Sequence, residues 1–311
     1  MKKISYLFLI VFTFLSCEDQ ETVDTPDFEI SFNETAKVGE PIRFDVQNTP
    51  NFLNFYAGDF GHQYKYKDRT NAEGIVTMSF LNSQKWGLGP NKEGALSVFY
   101  SKDYEGTSTK EAVQNATWID ITERFNISKL YDFTLQDSGI VDITDLADGS
   151  PIYFGFRYLC DNVGTRPSEW YLDELFIQME VPEAPEPLTV ATEDKPGFNP
   201  VDVEGIVEGW NANKWYFDTQ KGENGLWRMR GQAKVDGDWI ANEDWLITHP
   251  INLTKVNPDQ GLPLKTYSEK LESFEYTYSK PGNYTITFIG SNETIYGQET
   301  VIKEYDITIT E

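Results

Sequence analysis

Phe274-Glu275-Tyr276-Thr277-Tyr278-Ser279-Lys280-Pro281-Gly282-Asn283-Tyr284-Thr285-Ile286-Thr287-Phe288 contains two alternating runs, Phe274 to Tyr278 and Tyr284 to Phe288, separated by a turn sequence. An aromatic or β-branched residue at every second position gives a pleated strand one apolar face, and Pro-Gly turns the chain between two such strands. The same period of two recurs outward along the chain: Ile42, Phe44, Val46; Leu96, Val98, Tyr100; Ile152, Phe154, Phe156, Tyr158; Tyr305, Ile307, Ile309. Gly, Asn, Asp and Pro clusters end each run within a few residues, and only Ser108 to Asn115 has the make-up of a short helix. The fold class is therefore all-β. Aromatic residues form 14% of the chain, enough apolar mass to fill sheet cores.

At 311 residues the chain suits two domains rather than one. Its first residues carry an address. Lys2 and Lys3 form a positive region, Ile4 to Ser16 an apolar run too short to span a bilayer, and Leu15-Ser16-Cys17 closes it with a small residue before cysteine. This pattern is that of a bacterial lipoprotein signal, residues 1–16, with Cys17 as the lipidated first residue and 17–26 as a tether. Losing Lys2 and Lys3 takes the formal charge from −24 to −26. A field of that sign repels nucleic acid and anionic membrane surfaces, so neither is an expected partner. Lipidation of Cys17 leaves Cys160 alone, which excludes an intramolecular disulfide and points to a buried small apolar residue.

Several stretches carry resemblances. Glu18-Asp19-Gln20-Glu21 resembles the acidic tag that sends Bacteroidetes-type lipoproteins to the outer face of the outer membrane. Ile30 to Phe32, Val38 to Val46 and Tyr56-Ala57-Gly58-Asp59-Phe60-Gly61 resemble the opening strands of polycystic-kidney-disease (PKD) type immunoglobulin-like modules. Phe274 to Phe288 and Glu304 to Thr310 resemble their closing strands. Neither half closes a sandwich alone, so the expected domain is split, 27–66 plus 268–311, with residues 67–267 inserted. Within the insert, Leu96 to Gly106, Ala116 to Ile121, Gly139 to Ile143, Ile152 to Tyr158 and Trp170 to Leu175 resemble cleaved-adhesin and choice-of-anchor jelly rolls. The segment Asn242-Glu243-Asp244-Trp245-Leu246-Ile247, first in those modules, comes last here, as in a circular permutation. Pro182, Pro185 and Pro187 then mark a connector where the usual ends are joined. The whole arrangement resembles the 5017 family of domains of unknown function in Bacteroidetes surface lipoproteins, encoded beside SusC/SusD-like nutrient importers.

Catalytic patterns are missing. His62 and His249 are the only histidines and fall in different expected domains, which leaves no histidine pair for a metal or a triad. Carboxylates are so numerous that a glycosidase pair could be drawn anywhere, and Gly87-Leu88-Gly89-Pro90 lacks the lysine of a phosphate loop. No cofactor is expected, apart from a structural calcium ion for which Asp236-Gly237-Asp238 is the candidate turn. Flat aromatic rings on loops are the usual hardware for stacking on sugars. Trp86, in Lys85 to Asn91, and Trp239, beside the acidic turn, are the leading candidates, with Tyr104 third and Tyr64 and Tyr66 behind. Trp118, Trp170, Trp215, Trp227 and Trp245 lie in strand-like patterns and are expected in the core, while Trp210 is left open. The expected function is a non-catalytic, surface-exposed lipoprotein that binds oligosaccharide or peptide for a SusC/SusD-like transporter complex. The alternative is docking on neighbouring lipoproteins or adhesion without a nutrient ligand; a hydrolase is the remaining reading.

Overall fold

The computed structural model describes residues 22–87, 95–161, 166–205, 214–231 and 234–311, so Cys17, the acidic tag and Trp210 lie outside the described residues. The chain is all-β and forms two compact units, one of residues 1–68 with 258–311 and the other of residues 69–257.

The first unit has a three-stranded sheet in the order Glu29–Ser31, Pro41–Gln47, Ser273–Thr277. Its five-stranded sheet runs Leu262–Lys265, Phe52–Tyr56, Gly282–Thr294, Gly297–Thr310, Thr35–Lys37. Strands from the two ends of the chain are direct neighbours: Phe44 lies opposite Phe274, and Phe55 opposite Phe288. The alternation explains the core. Strand Pro41–Gln47 buries Ile42, Phe44 and Val46 and exposes the residues between them. Phe44 stacks on Phe274 at 4.9 Å and packs against Phe32, Phe55 and Phe288 at 5.1, 5.4 and 5.9 Å. The Tyr278 hydroxyl donates to the Ala57 carbonyl at 2.7 Å and the Tyr276 hydroxyl to Asp59 at 2.8 Å, tying the closing strand to the turn after Tyr56. Because Leu262–Lys265 pairs with Phe52–Tyr56, residues 258–267 belong to this unit and not to the segment expected between 67 and 267. The chain is also seated upstream of residue 27: Pro26 is buried, and Asn292 donates to the Asp24 carbonyl at 2.9 Å.

In the second unit a five-stranded sheet runs Phe198–Glu204, Asn242–Thr248, Tyr153–Cys160, Leu96–Ser101, Ile119–Asp120. It faces a sheet ordered Trp215–Asp218, Leu226–Met229, Glu169–Glu180, Ile75–Lys85, Gln136–Asp137, with Leu188–Thr192 and Val141–Asp142 pairing at its flanks. Their inner faces share one core, including Met78, Phe80, Phe154, Phe156, Trp170, Ile177, Trp215 and Leu246, and Cys160 is buried within it. Asp244 also points inward, opposite Tyr158 and Asp202 across the sheet. Burial first, then the neighbouring Asp202 carboxyl, pushes its carboxyl well above the usual range.

The outer face of the five-stranded sheet is covered by a small cluster under helix Lys110–Asn115, whose first turn is capped by Thr109 Oγ1 accepting from the Ala112 amide at 3.2 Å. Trp118 and Trp245 meet there at 4.6 Å, and a side chain at Gly155, between inward-facing Phe154 and Phe156, would collide with both rings.

Candidate functional site

The outer face of the other sheet is where aromatic rings and cations gather. In strand Glu169–Glu180 the pleat sends Trp170 and Leu172 into the core and Glu169 and Tyr171 outward. Cross-strand register then fixes the neighbours: Tyr171 lies opposite Arg228 on one side and Ser83 on the other, Glu169 opposite Lys85, and Tyr216 opposite Arg228. Arg228 is the fixed point. Its guanidinium donates to Glu169 at 2.7 Å and to Asp218 at 2.8 Å, and the Tyr171 hydroxyl donates to Glu169 at 2.8 Å. Burial opposes the charge on Arg228, but the hydrogen bonds to Glu169 and Asp218 outweigh it and raise its pKa. Burial, followed by the hydrogen bond to Glu169, also pushes the Tyr171 hydroxyl up, so it remains a donor.

Around this network stand rings with cations over them. Trp86 follows strand Ile75–Lys85 with a left-handed backbone (φ 75°) and is 43% exposed. Phe133, also left-handed (φ 70°), meets Trp86 edge-on at 6.4 Å and Tyr171 at 5.0 Å. Two non-glycine residues in this region, each destabilising by about 1–2 kcal/mol, persist only where the surroundings hold them. The Lys85 ammonium lies 3.8 Å from the Phe133 centroid and 4.6 Å from that of Trp86. Arg166 covers Trp86 at 4.7 Å, Lys221 approaches Phe133 at 5.3 Å, and Arg230 approaches Tyr216 at 5.7 Å. Lys85, Arg166, Lys221 and Arg230 form no ion pair among the described residues. The buried Nε atoms of Arg166, Arg228 and Arg230 have no acceptor among the described residues. The result is a strip of donors and ring edges whose four cations make no ion pair among the described residues, although Asp132 feels the charge of Lys85 and Asp218 that of Arg230.

The residues singled out from sequence separate. Trp86 lies in this strip. Trp239 lies elsewhere in the unit, half-buried in the small hairpin Lys234–Val235/Asp238–Trp239 with the Lys234 ammonium 4.1 Å over its ring. Tyr104 is not an exposed platform: it is 5% exposed, packed on Trp118 and Tyr153, and its hydroxyl donates to the Thr107 carbonyl. The reason is that Ser101 Oγ accepts from the Tyr104 amide at 3.0 Å, turning the chain after strand Leu96–Ser101 so that the ring folds back under helix Lys110–Asn115. Tyr64 and Tyr66 are half-buried in a short helical turn of the first unit. Trp170, Trp215 and Trp245 are buried and Trp118 and Trp227 half-buried.

Asp236 and Gly237 have φ of 54° and 94°, the pair of positive values that a two-residue hairpin loop requires, which accounts for Asp-Gly at that place by backbone geometry. No group of three or more His, Cys, Asp or Glu side chains among the described residues is arranged to hold a metal ion. His62 Nδ1 lies 2.6 Å from the Gln260 carbonyl in the first unit, and His249 belongs to the second.

Sequence reasoning missed Phe133, Arg166, Lys221 and Arg230. One signal was available: three of the seven arginines of this acidic chain, Arg166, Arg228 and Arg230, end on one face, and Arg-x-Arg in a strand places both guanidiniums on the same side. In a comparison with protein families, residues 16–198 match the one described as Domain of unknown function (DUF5017). No curated protein and no solved structure matches the chain.

Proposed function

The chain belongs to the DUF5017 family, and on that footing we propose that it is a non-catalytic, outward-facing outer-membrane lipoprotein that captures a ligand for a SusC/SusD-like importer. The lipoprotein signal ending at Cys17, the acidic residues after it and the PKD-like and jelly-roll resemblances support the location and the partner. One observation carries the binding role: Lys85, Arg166 and Lys221, which form no ion pair among the described residues, surround Trp86 and Phe133, with Arg230 over neighbouring Tyr216, on one sheet face of a chain whose formal charge is −24. The ligand is an oligosaccharide or peptide, and the site favours one bearing carboxylate or sulfate groups. Lys85 and Arg166 already lie over Trp86, so a neutral sugar must displace them to stack, whereas an anionic sugar pairs with them and meets the ring at its edge.

Calorimetric titration of the soluble chain from Glu18 against neutral, uronate-bearing and sulfated oligosaccharides and acidic peptides tests this. Binding of an acidic oligosaccharide is expected, weakening with added salt and in Trp86→Ala and Arg166→Ala. Binding that survives both substitutions removes the site. Silence across every panel removes the capture role in favour of docking on a partner lipoprotein.

A further inference from the structure

The first unit carries an apolar tip that the ligand-binding reading does not use. Strands Gly282–Thr294 and Gly297–Thr310 form a long hairpin, and the residues that join them, Ile295 and Tyr296, are 91% and 59% exposed. Tyr267, 66% exposed, lies beside them with Phe52, its ring 6.4 Å away, and the four line one shallow depression with Glu293 and Thr294. Isolated exposed apolar residues are ordinary, but three large ones gathered at one projecting end mark a contact surface.

The path of the N-terminal segment says what that surface faces. Phe28 is buried against Gly290, the Asp24 carbonyl accepts from Asn292, and the Val23 side chain lies next to Gly297. Read toward the N-terminus, the chain therefore climbs the hairpin and reaches its tip at Val23. Cys17 is six residues further on, a reach of about 21 Å at full extension.

We infer that Ile295, Tyr296 and Tyr267 form a membrane-contact tip that dips into the headgroup region of the bilayer holding the lipid on Cys17. The inference rests on the lipid anchor proposed above. A tether that short keeps the tip close to the headgroups, where an aliphatic side chain gains apolar surroundings and a tyrosine keeps its hydroxyl in water. Asp24, Glu293 and Glu299 are exposed near the same end, so attraction to anionic lipid does not drive the contact. Zwitterionic phosphatidylcholine is accordingly the right probe.

The test uses the full, lipidated protein in phosphatidylcholine vesicles, with an environment-sensitive fluorophore on an Ile295→Cys variant. Cys17 is consumed by lipid and Cys160 is buried, so the new thiol is the reactive one. A Lys280→Cys variant labels the opposite end of the 13-residue strand, about 40 Å from the tip. The expected result is a blue shift at position 295 and quenching there by nitroxide-bearing phosphatidylcholine, with neither at position 280. Equal, water-like emission at both positions overturns the inference when mass spectrometry finds lipid on Cys17. A Cys17 without lipid overturns the anchor reading first and the inference with it.

Discussion

Replacing Arg228 by Met strips the cation from a buried network and tests the physical account of the candidate site. Arg228 is 8% exposed and donates to two carboxylates, of which Glu169 is buried as deeply as core residues. Methionine matches the aliphatic stem but removes the guanidinium that donates to both Glu169 and Asp218. Breaking one partner out of a buried pair costs about 3–5 kcal/mol. The Tyr171 hydroxyl still donates to Glu169, which places the expected loss near the lower end, about 3 kcal/mol. For a unit of the size of residues 69–257 that corresponds to a fall in Tm of about 6–12 °C.

The assay is specific to this unit because all eight tryptophans lie between residues 69 and 257, so urea unfolding followed by tryptophan fluorescence reports it directly. Adding Glu169→Gln to Arg228→Met removes the buried charge that has lost this donor and is expected to recover about 1–2 kcal/mol of the loss. A loss below about 1 kcal/mol for Arg228→Met, or no recovery in the double variant, refutes the reasoning and makes the network a surface feature.

Other consequences follow from the same structure. Burial first, then repulsion from Asp173, pushes the Glu193 carboxyl from 4.5 up to about 7, so its contribution is full below pH 4.5 and is lost as pH rises through 7. Glu193→Gln is therefore expected to gain stability relative to wild type between those pH values, and a pH-independent difference in urea midpoints would rule this out. Gly231, at φ 58°, lies against the buried Tyr158 hydroxyl that donates to the Ser168 carbonyl. Gly231→Ala is expected to lower stability by about 2–4 kcal/mol through backbone strain and overpacking, and tolerance in thermal unfolding would contradict that. Thr109→Ala removes the cap of helix Lys110–Asn115 and is expected to cost about 1 kcal/mol in the same measurement.

Much of the fold is legible because alternation is local. Ile42, Phe44 and Val46, or Phe154 and Phe156, declare their inward face without knowledge of any partner strand, and Ser108 to Asn115 contains the helix Lys110–Asn115. Exposure is not local. Tyr104 reads as a loop aromatic, yet the Ser101 turn and the helix that begins at Lys110 bury it. Trp86 was legible as a ring in a turn-rich loop, whereas its setting comes from residues 85, 133, 166 and 221, brought together only by sheet pairing and loop return.

From the sequence alone came the all-β class, the period-two faces, the acidic balance and the expectation of a lipid address at Cys17, since each depends on residue type and spacing along one stretch. Which strands pair across the chain's two ends, which rings stay dry, and where cations meet aromatics were decided by the tertiary structure. These depend on hydrogen-bond register and burial between residues 84 to 239 positions apart, and no local pattern carries that information.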